Sequence, residues 1–167
     1  MSLLCHGFKP IVPQDPKVII LGTMPSVVSI QKAFYYAHPR NAFWPIMQHL
    51  LGQTFIAETE KVTALKQAGI FLWDVLQACE RQGSLDSAIK QAKANDFETV
   101  FTRYSNLKTV VFNGQAAEKL FKQQVLKKQT LPNDLTYLTL PSTSPANARL
   151  SLSDKVLLWQ DKLQDLL

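Results

Sequence analysis

Lys17-Val18-Ile19-Ile20-Leu21, followed at once by Gly22-Thr23-Met24-Pro25-Ser26, is the stretch on which the fold turns. Four consecutive apolar residues, three of them β-branched, leave no alternate position for a wet face. They read as a strand buried on both sides, and the glycine, proline and serine behind it stop that strand in a loop. Runs of the same character lie at Ile70 to Val75, Thr109 to Phe112 and Leu135 to Leu140. Segments of helical period separate them: Asn41 to Leu51 behind Asn41 as N-cap, Thr59 to Ala68 closed by Gly69, Ser84 to Tyr104 in two pieces, and Gln115 to Lys127. A last helix, opened by Ser153, places Val156, Leu157, Gln160, Leu163 and Leu167 on one face. Strand and helix in alternation predict a parallel α/β sheet covered on both faces, because a parallel pair needs a crossover and the crossover helix covers the sheet. The length suits one domain over residues 1–167.

Sheets of this kind hold their sites beyond the carboxyl ends of the strands. Three strand ends carry unusual residues: Gly22 to Ser26, Asn113-Gly114, and Pro141-Ser142-Thr143-Ser144-Pro145-Ala146-Asn147. None of these loops contains a carboxylate, so paired acid–base catalysis is not expected from them. There is no G-x-S-x-G elbow, no Walker A loop and no G-x-G-x-x-G among the six glycines. Cys5, Cys79, His6, His38 and His49 lack the spacing of a zinc or iron–sulfur site, so neither a metal nor another cofactor is expected. What remains is amide, hydroxyl and aromatic chemistry, which orients, stacks and hydrogen-bonds.

Composition sets the outer limits. Hydrophobic residues make up 46% and charged residues 19% of the chain, which excludes a disordered protein. No apolar run is long enough to cross a bilayer and residues 1 to 12 lack a signal-peptide core, so a cytoplasmic protein without a membrane partner is expected, as a monomer. Eighteen basic against 13 acidic residues give a net charge of +5, which favours a polyanionic partner. Between Asp15 and Glu58 there is no acid, and Lys32 and Arg40 share that stretch with Phe34, Tyr35, Tyr36, His38, Phe43 and Trp44. Cations interleaved with aromatics suit a nucleic-acid base and its phosphate, although Phe43 and Trp44 equally suit a helix anchored in the core. Lys119, Lys122, Lys127 and Lys128 read as a solvated helix face.

Taken in order, Gly22-Thr23-Met24-Pro25-Ser26, Tyr35-Tyr36-Ala37-His38-Pro39-Arg40-Asn41-Ala42-Phe43-Trp44, Phe112-Asn113-Gly114 and Ser142-Thr143-Ser144-Pro145 resemble the uracil-DNA glycosylase superfamily. The H-P-x-N-x-F-W element is similar to that of the mismatch-specific uracil/thymine glycosylases. The G-T-M-P-S and P-S-T-S-P-A-N loops are closer to the hypoxanthine (deoxyinosine) branch. The resemblance implies a three-layer α/β/α sandwich with a four-stranded, mainly parallel sheet, and metal-free excision of a base from DNA. It implies Asn41 as the catalytic asparagine. Met24 stands where the wider superfamily commonly carries the Asp or Asn that positions water, and Ser142 stands where a histidine is often found.

On that footing each step of glycosidic hydrolysis has a candidate. Tyr36 would stack on the flipped base, while the backbone of Gly22, Thr23 and Met24 would form one wall. Asn113 would donate to a carbonyl and accept from the adjacent ring N–H, an edge that hypoxanthine and uracil present and adenine and cytosine do not. Asn-Gly at a strand end also serves simply as a turn. Asn41 cannot act as a base, but its oxygen can hold a water; as a plain N-cap it would be free for this only on leaving the cap. Pro25, Ser26, Arg40, Ser142, Ser144, Asn147 and Arg149 are the expected DNA contacts. No lysine lies in these loops to form a Schiff base, which predicts a monofunctional enzyme leaving an abasic site. The expected substrate is a deaminated base in DNA, hypoxanthine, with uracil also allowed by the same edge. The alternatives are a mismatch-specific uracil/thymine glycosylase and a nucleic-acid-binding module that keeps the fold without the chemistry.

Overall fold

A computed structural model describes residues 3–167. In chain order the elements are β1 (Leu4–His6), β2 (Val18–Gly22), α1 (Val27–Lys32), α2 (Phe43–Leu51), α3 (Glu58–Ala68), β3 (Ile70–Asp74), β4 (Leu76–Glu80), β5 (Lys90–Ala94), α4 (Phe97–Arg103), β6 (Thr109–Asn113), α5 (Gln115–Phe121), β7 (Thr136–Leu140) and α6 (Leu152–Leu163). The four anticipated strands are β2, β3, β6 and β7. They form one sheet in the order β3-β2-β6-β7, and every neighbouring pair is parallel.

Every residue of β2 is buried, and its side chains are dealt alternately to two cores. Val18 and Ile20 pack with Phe43, Ile46 and Met47 of α2, Leu65 of α3, and Trp159 and Leu163 of α6. Ile19 and Leu21 pack with Phe97 and Phe101 of α4 and with Ala117 and Phe121 of α5. The period-two alternation of a strand thereby produces three layers, helices on each face of the sheet. The chain leaves β2 toward β3 on one side and later returns to β6 on the other, so the strand order reverses between β2 and β6. A crevice opens at such a reversal, outside the carboxyl ends of the two strands.

The structure corrects several local expectations. Residues 84–104 are not two helices: a 3-10 turn at Asp86–Ala88 leads into β5, and only Phe97–Arg103 is helical. The β5 sequence Lys-Gln-Ala-Lys-Ala favours helix by propensity, but antiparallel pairing with β4 overrides it in a second sheet ordered β1-β4-β5. Asn41 is not the N-cap of α2; Ala42 holds that position, one residue later. The final helix is capped by Ser151, not Ser153, in a reciprocal capping box with Asp154. Its buried face therefore carries Lys155, Trp159 and Leu163, and Leu157 is 64% exposed. After Phe121 the anticipated helix continues to Leu126 as a π-helical turn that buries Val125. α1 was not legible as a helix.

Candidate active site

β2 and β3 are in register to their ends, Gly22 opposite Asp74, and Asn113 ends β6 on the other side of β2. Three strand ends thus lie side by side, with glycine in the middle, at the point where the strand order reverses. Gly22 is required there. A Cβ would come within 2.5 Å of Asp74 Oδ1 and 2.8 Å of Tyr36 Oη. Above this row opens a cleft of about 660 Å³ when its open mouth is counted.

Asn113 is buried, and its amide is held by one residue. The Thr143 backbone N–H donates to Asn113 Oδ1 at 2.9 Å, and Asn113 Nδ2 donates to Thr143 Oγ1 at 2.9 Å. A backbone N–H only donates, so the oxygen of the amide must face it and the orientation is unambiguous. One N–H, on the side of the Tyr36 hydroxyl, and one oxygen lone pair are left beside the cleft. Thr143 is 0% exposed, and its carbonyl accepts from the Ala42 N–H at 2.9 Å, which ties the loop after β7 to the start of α2. Gly114 permits this closeness: at φ +97 it lies where a Cβ would meet Ser142 Cβ at 2.9 Å. The turn and the free amide, alternatives in the sequence, coexist.

Asn41 lines the same cleft. Its Oδ1 accepts from the Phe43 N–H at 2.9 Å, so it caps the first turn of α2 from one residue before the N-cap position. The oxygen keeps a second lone pair, and the side chain has no need to leave the cap to hold a water. Tyr36 sits at φ 51, a left-handed conformation costly for a non-glycine residue. It is clamped from both sides: Trp44 Nε1 donates to the Tyr35 carbonyl at 2.8 Å, and the Ala37 N–H donates to Ser29 Oγ at 3.1 Å. One face of the Tyr36 ring stacks on Phe43 at 4.2 Å between centroids. Its buried hydroxyl has no partner. Burial, reinforced by the charge of Asp74 and opposed by the nearby Asn113 amide, pushes the phenol above its ordinary pKa.

The cleft also takes in Gly22, Thr23, Met24, Pro25, Ser26, Ser142 and Ser144. Met24 turns its side chain into the core beside α4 and α5 and presents backbone to the site. Arg40, Asn147 and Arg149 lie outside the cleft: Arg40 and Asn147 border a groove that meets it at Asn41, and Arg149 borders another that meets it at Ser142. Ser142 Oγ accepts from the Ser144 N–H and Ser144 Oγ from the Ala146 N–H, both at 3.2 Å, which leaves each hydroxyl proton free. Asn147 Nδ2 donates one of its two N–H groups to the Ser142 carbonyl at 3.1 Å. Lys155, though buried, donates to the Ser144 carbonyl at 3.2 Å and steadies the same loop.

The expectation of a cleft without carboxylates is overturned. Asp74 and Asp86 both line it. Asp74 is 4% exposed, and its Oδ2 is buried without a hydrogen bond. Burial pushes its pKa up to about 7, with buried Arg81 pulling the other way and Asp86 adding a smaller upward push. Asp86 arrives on the loop between β4 and β5, where its Oδ1 accepts from Thr23 Oγ1 at 2.7 Å. On the same loop Ser84 Oγ accepts from the Val27 N–H at 2.9 Å, and the Arg81 guanidinium donates to the Pro25 carbonyl. The second sheet therefore supplies a wall of the cleft, clasped to the loop after β2. Asp74 was hidden inside an apolar run taken as strand to Val75; an acid in the middle of such a run was the available signal. Thr143 was quoted within its loop but given no role. Among the described residues no cluster of His, Cys, Asp or Glu is placed to hold a metal ion, and no helix is long and apolar enough to cross a membrane.

The chain as a whole, sheet and cleft included, has relatives among known proteins. The profile of the uracil DNA glycosylase superfamily matches residues 9–163. The chain belongs to that superfamily. A hypoxanthine DNA glycosylase of Methanosarcina acetivorans is 35% identical over 153 residues, 89% of this chain and 92% of the relative. The protein of the same name from Methanosarcina barkeri is 39% identical over 112 residues, 66% of this chain and 71% of its own. A solution NMR structure from M. acetivorans, provisionally assigned as a uracil DNA glycosylase, superposes with a TM-score of 0.79 at 32% identity, over 98% of this chain and 99% of that one. The superfamily thus supplies the fold anticipated from the sequence, and β4, β5 and the clasp lie within the matched residues, with β1 ahead of them.

Proposed function

We propose that this protein is a monofunctional DNA glycosylase that takes hypoxanthine out of DNA, with uracil a second substrate, and leaves an abasic site. The observation that carries the reading is the Asn113 amide, locked by Thr143 with one donor and one acceptor aimed at a ligand. Hypoxanthine offers the matching carbonyl and ring N–H. Adenine offers the reverse pattern and would leave buried polar groups unpaired on both sides, which a hydrogen-bonding site rejects strongly. The names of the Methanosarcina relatives support the same substrate.

A base reaches this depth only when flipped out of the duplex. Gly22 leaves the floor low, the backbone of Thr23 and Met24 walls one side, and Tyr36, stiffened from behind by Phe43, gives the base an aromatic flank. Asn41 Oδ1 holds water near the sugar and its dipole favours the positive charge that develops there. The hydroxyls of Ser142 and Ser144, backbone at Pro25 and Ser26, and the cations Arg40 and Arg149 hold the flanking phosphates. Asn147, with one N–H engaged on the Ser142 carbonyl, offers its second N–H to the same phosphates. No lysine lines the cleft, so no covalent imine is formed and no strand is cut.

The test is a single-turnover assay on end-labelled duplexes carrying deoxyinosine, deoxyuridine or thymine opposite each base, with alkali to reveal abasic sites. Cleavage at deoxyinosine, lost in Asn41→Ala with duplex binding intact, is the expected result. Binding without cleavage of any of these bases by the unaltered protein would favour the inert binding module and overturn the reading.

A further inference from the structure

We infer that the carboxyl of Asp74 is the acid that protonates the departing purine, at a ring nitrogen outside the edge read by Asn113. The inference rests on the base-excision reading above. Its ground is placement. Asp74 and Asn113 end the strands on either side of β2, two strand spacings or roughly 10 Å apart at Cα, and the only residue between them has no side chain. A flat base lying over Gly22 would have the amide of Asn113 at one edge and the carboxyl of Asp74 at another. Nothing else occupies that carboxyl: Oδ2 is buried without a hydrogen bond, and Oδ1 leans into the space a Cβ of residue 22 would fill. A buried acid with no partner is a standing cost to the fold, and the scaffold keeps it beside the floor of the cleft.

Chemistry supplies the reason. Expelled unprotonated, hypoxanthine leaves as an anion. With a proton on N7 or N3 it leaves neutral. As the C1′–N9 bond breaks, its electron pair passes into the purine ring and the O–H proton of Asp74 passes to the ring nitrogen, leaving an oxocarbenium sugar and a carboxylate. Water held by Asn41 then adds to C1′ and gives up a proton, which restores Asp74; the products are neutral hypoxanthine and an abasic sugar. The charged and titratable groups facing Asp74 are Tyr35 and Tyr36 from the segment between α1 and α2, Arg81 beyond β4, and Asp86 on the β4–β5 loop. Burial outweighs Arg81 and leaves the carboxyl pKa at about 7, where an acid is still protonated yet willing to give its proton at neutral pH.

Single-turnover excision of deoxyinosine is measured from pH 5.5 to 9 for the unaltered protein, Asp74→Asn and Asp86→Asn, with binding to an uncleavable analogue and thermal melting as controls. The unaltered protein should lose rate tenfold per pH unit above about pH 7. Asp74→Asn should be slower by about 10²- to 10⁴-fold at neutral pH with that limb absent and binding kept. Asp86→Asn, which removes a neighbouring like charge, should move the limb to lower pH. Relative to deoxyinosine, the Asp74→Asn effect should disappear on a 7-deaza or a 3-deaza analogue, whichever lacks the accepting nitrogen. A flat profile in the unaltered protein, a rate within threefold in Asp74→Asn, or an undiminished effect on both deaza analogues would overturn the inference. An unaltered protein that cleaves no deoxyinosine at any pH would overturn the base-excision reading with it, whereas an active one indifferent to Asp74 would overturn this inference alone.

Discussion

Replacing Asp74 with asparagine should make the folded protein's response to pH visibly different, apart from any effect on activity. The Asp74 pKa rises from 3.8 to about 7 on folding, chiefly because burial penalises the charged form. Between those values the folded chain keeps a proton that the unfolded chain has released, so the contribution of this group to stability falls as pH rises. The loss begins near pH 4, is complete near pH 7, and at 1.36 kcal/mol per pKa unit amounts to about 4 kcal/mol. Asparagine keeps the shape and has no charge to bury, although its new N–H donors need partners and add an offset that does not vary with pH. Urea unfolding of both proteins at pH 4, 5.5, 7 and 8 measures the difference directly. The stability of Asp74→Asn relative to the unaltered protein should grow by about 4 kcal/mol from pH 4 to pH 8, with most of the change below pH 7. Two stability curves that stay parallel within about 1 kcal/mol would refute the reasoning, because Asp74 would then ionise in the fold as readily as in water.

Two further substitutions probe the cleft. Thr143→Val removes one of the two bonds that orient the Asn113 amide but keeps the backbone donor; it should slow deoxyinosine excision by about 10-fold, the worth of roughly 1.4 kcal/mol, while Thr143→Ser stays near the unaltered rate, as read in the same single-turnover assay. Tyr36→Phe deletes a buried hydroxyl that has no partner, so it should raise the melting temperature by a few degrees, worth about 1 kcal/mol, and a scanning calorimetry trace that falls instead would count against the orphaned hydroxyl.

The central sheet was legible because β2 must be buried on both faces, and Val18 to Leu21 say so without help from the rest of the chain. The cleft was legible in part for a related reason: Gly22 and Asn113-Gly114 stand at strand ends, where a site belongs in a sheet of this order. The second sheet was not. Lys90 to Ala94 carries the composition of a helix, and only its pairing with β4, a partner that runs on from the end of β3, makes it a strand. Asp86 was lost with it, since a residue read as helical cannot be placed against Thr23. The frame of α6 slipped for a smaller reason. Ser151 and Ser153 are both competent caps, and the deciding fact is the reach of Asp154 back to Ser151, which turns the apolar face toward Trp159 and away from Leu157.

The oxygen of Asn113 is oriented by the peptide N–H of residue 143, a group that every amino acid except proline carries. Short of proline, mutation at that codon can change how firmly the amide is held, but it leaves in place the donor that sets which way the amide faces. If Asn113 reads the base as proposed, a lineage drifting at this position without reaching proline would produce faster and slower enzymes that read the same edge. An enzyme that confused the damaged base with its undamaged parent would have to arise elsewhere, by replacement of Asn113 itself or by reshaping of the chain around it. On that proposal the separation of inosine from adenosine would be an inherited property of the main chain, sheltered from most changes of side chain.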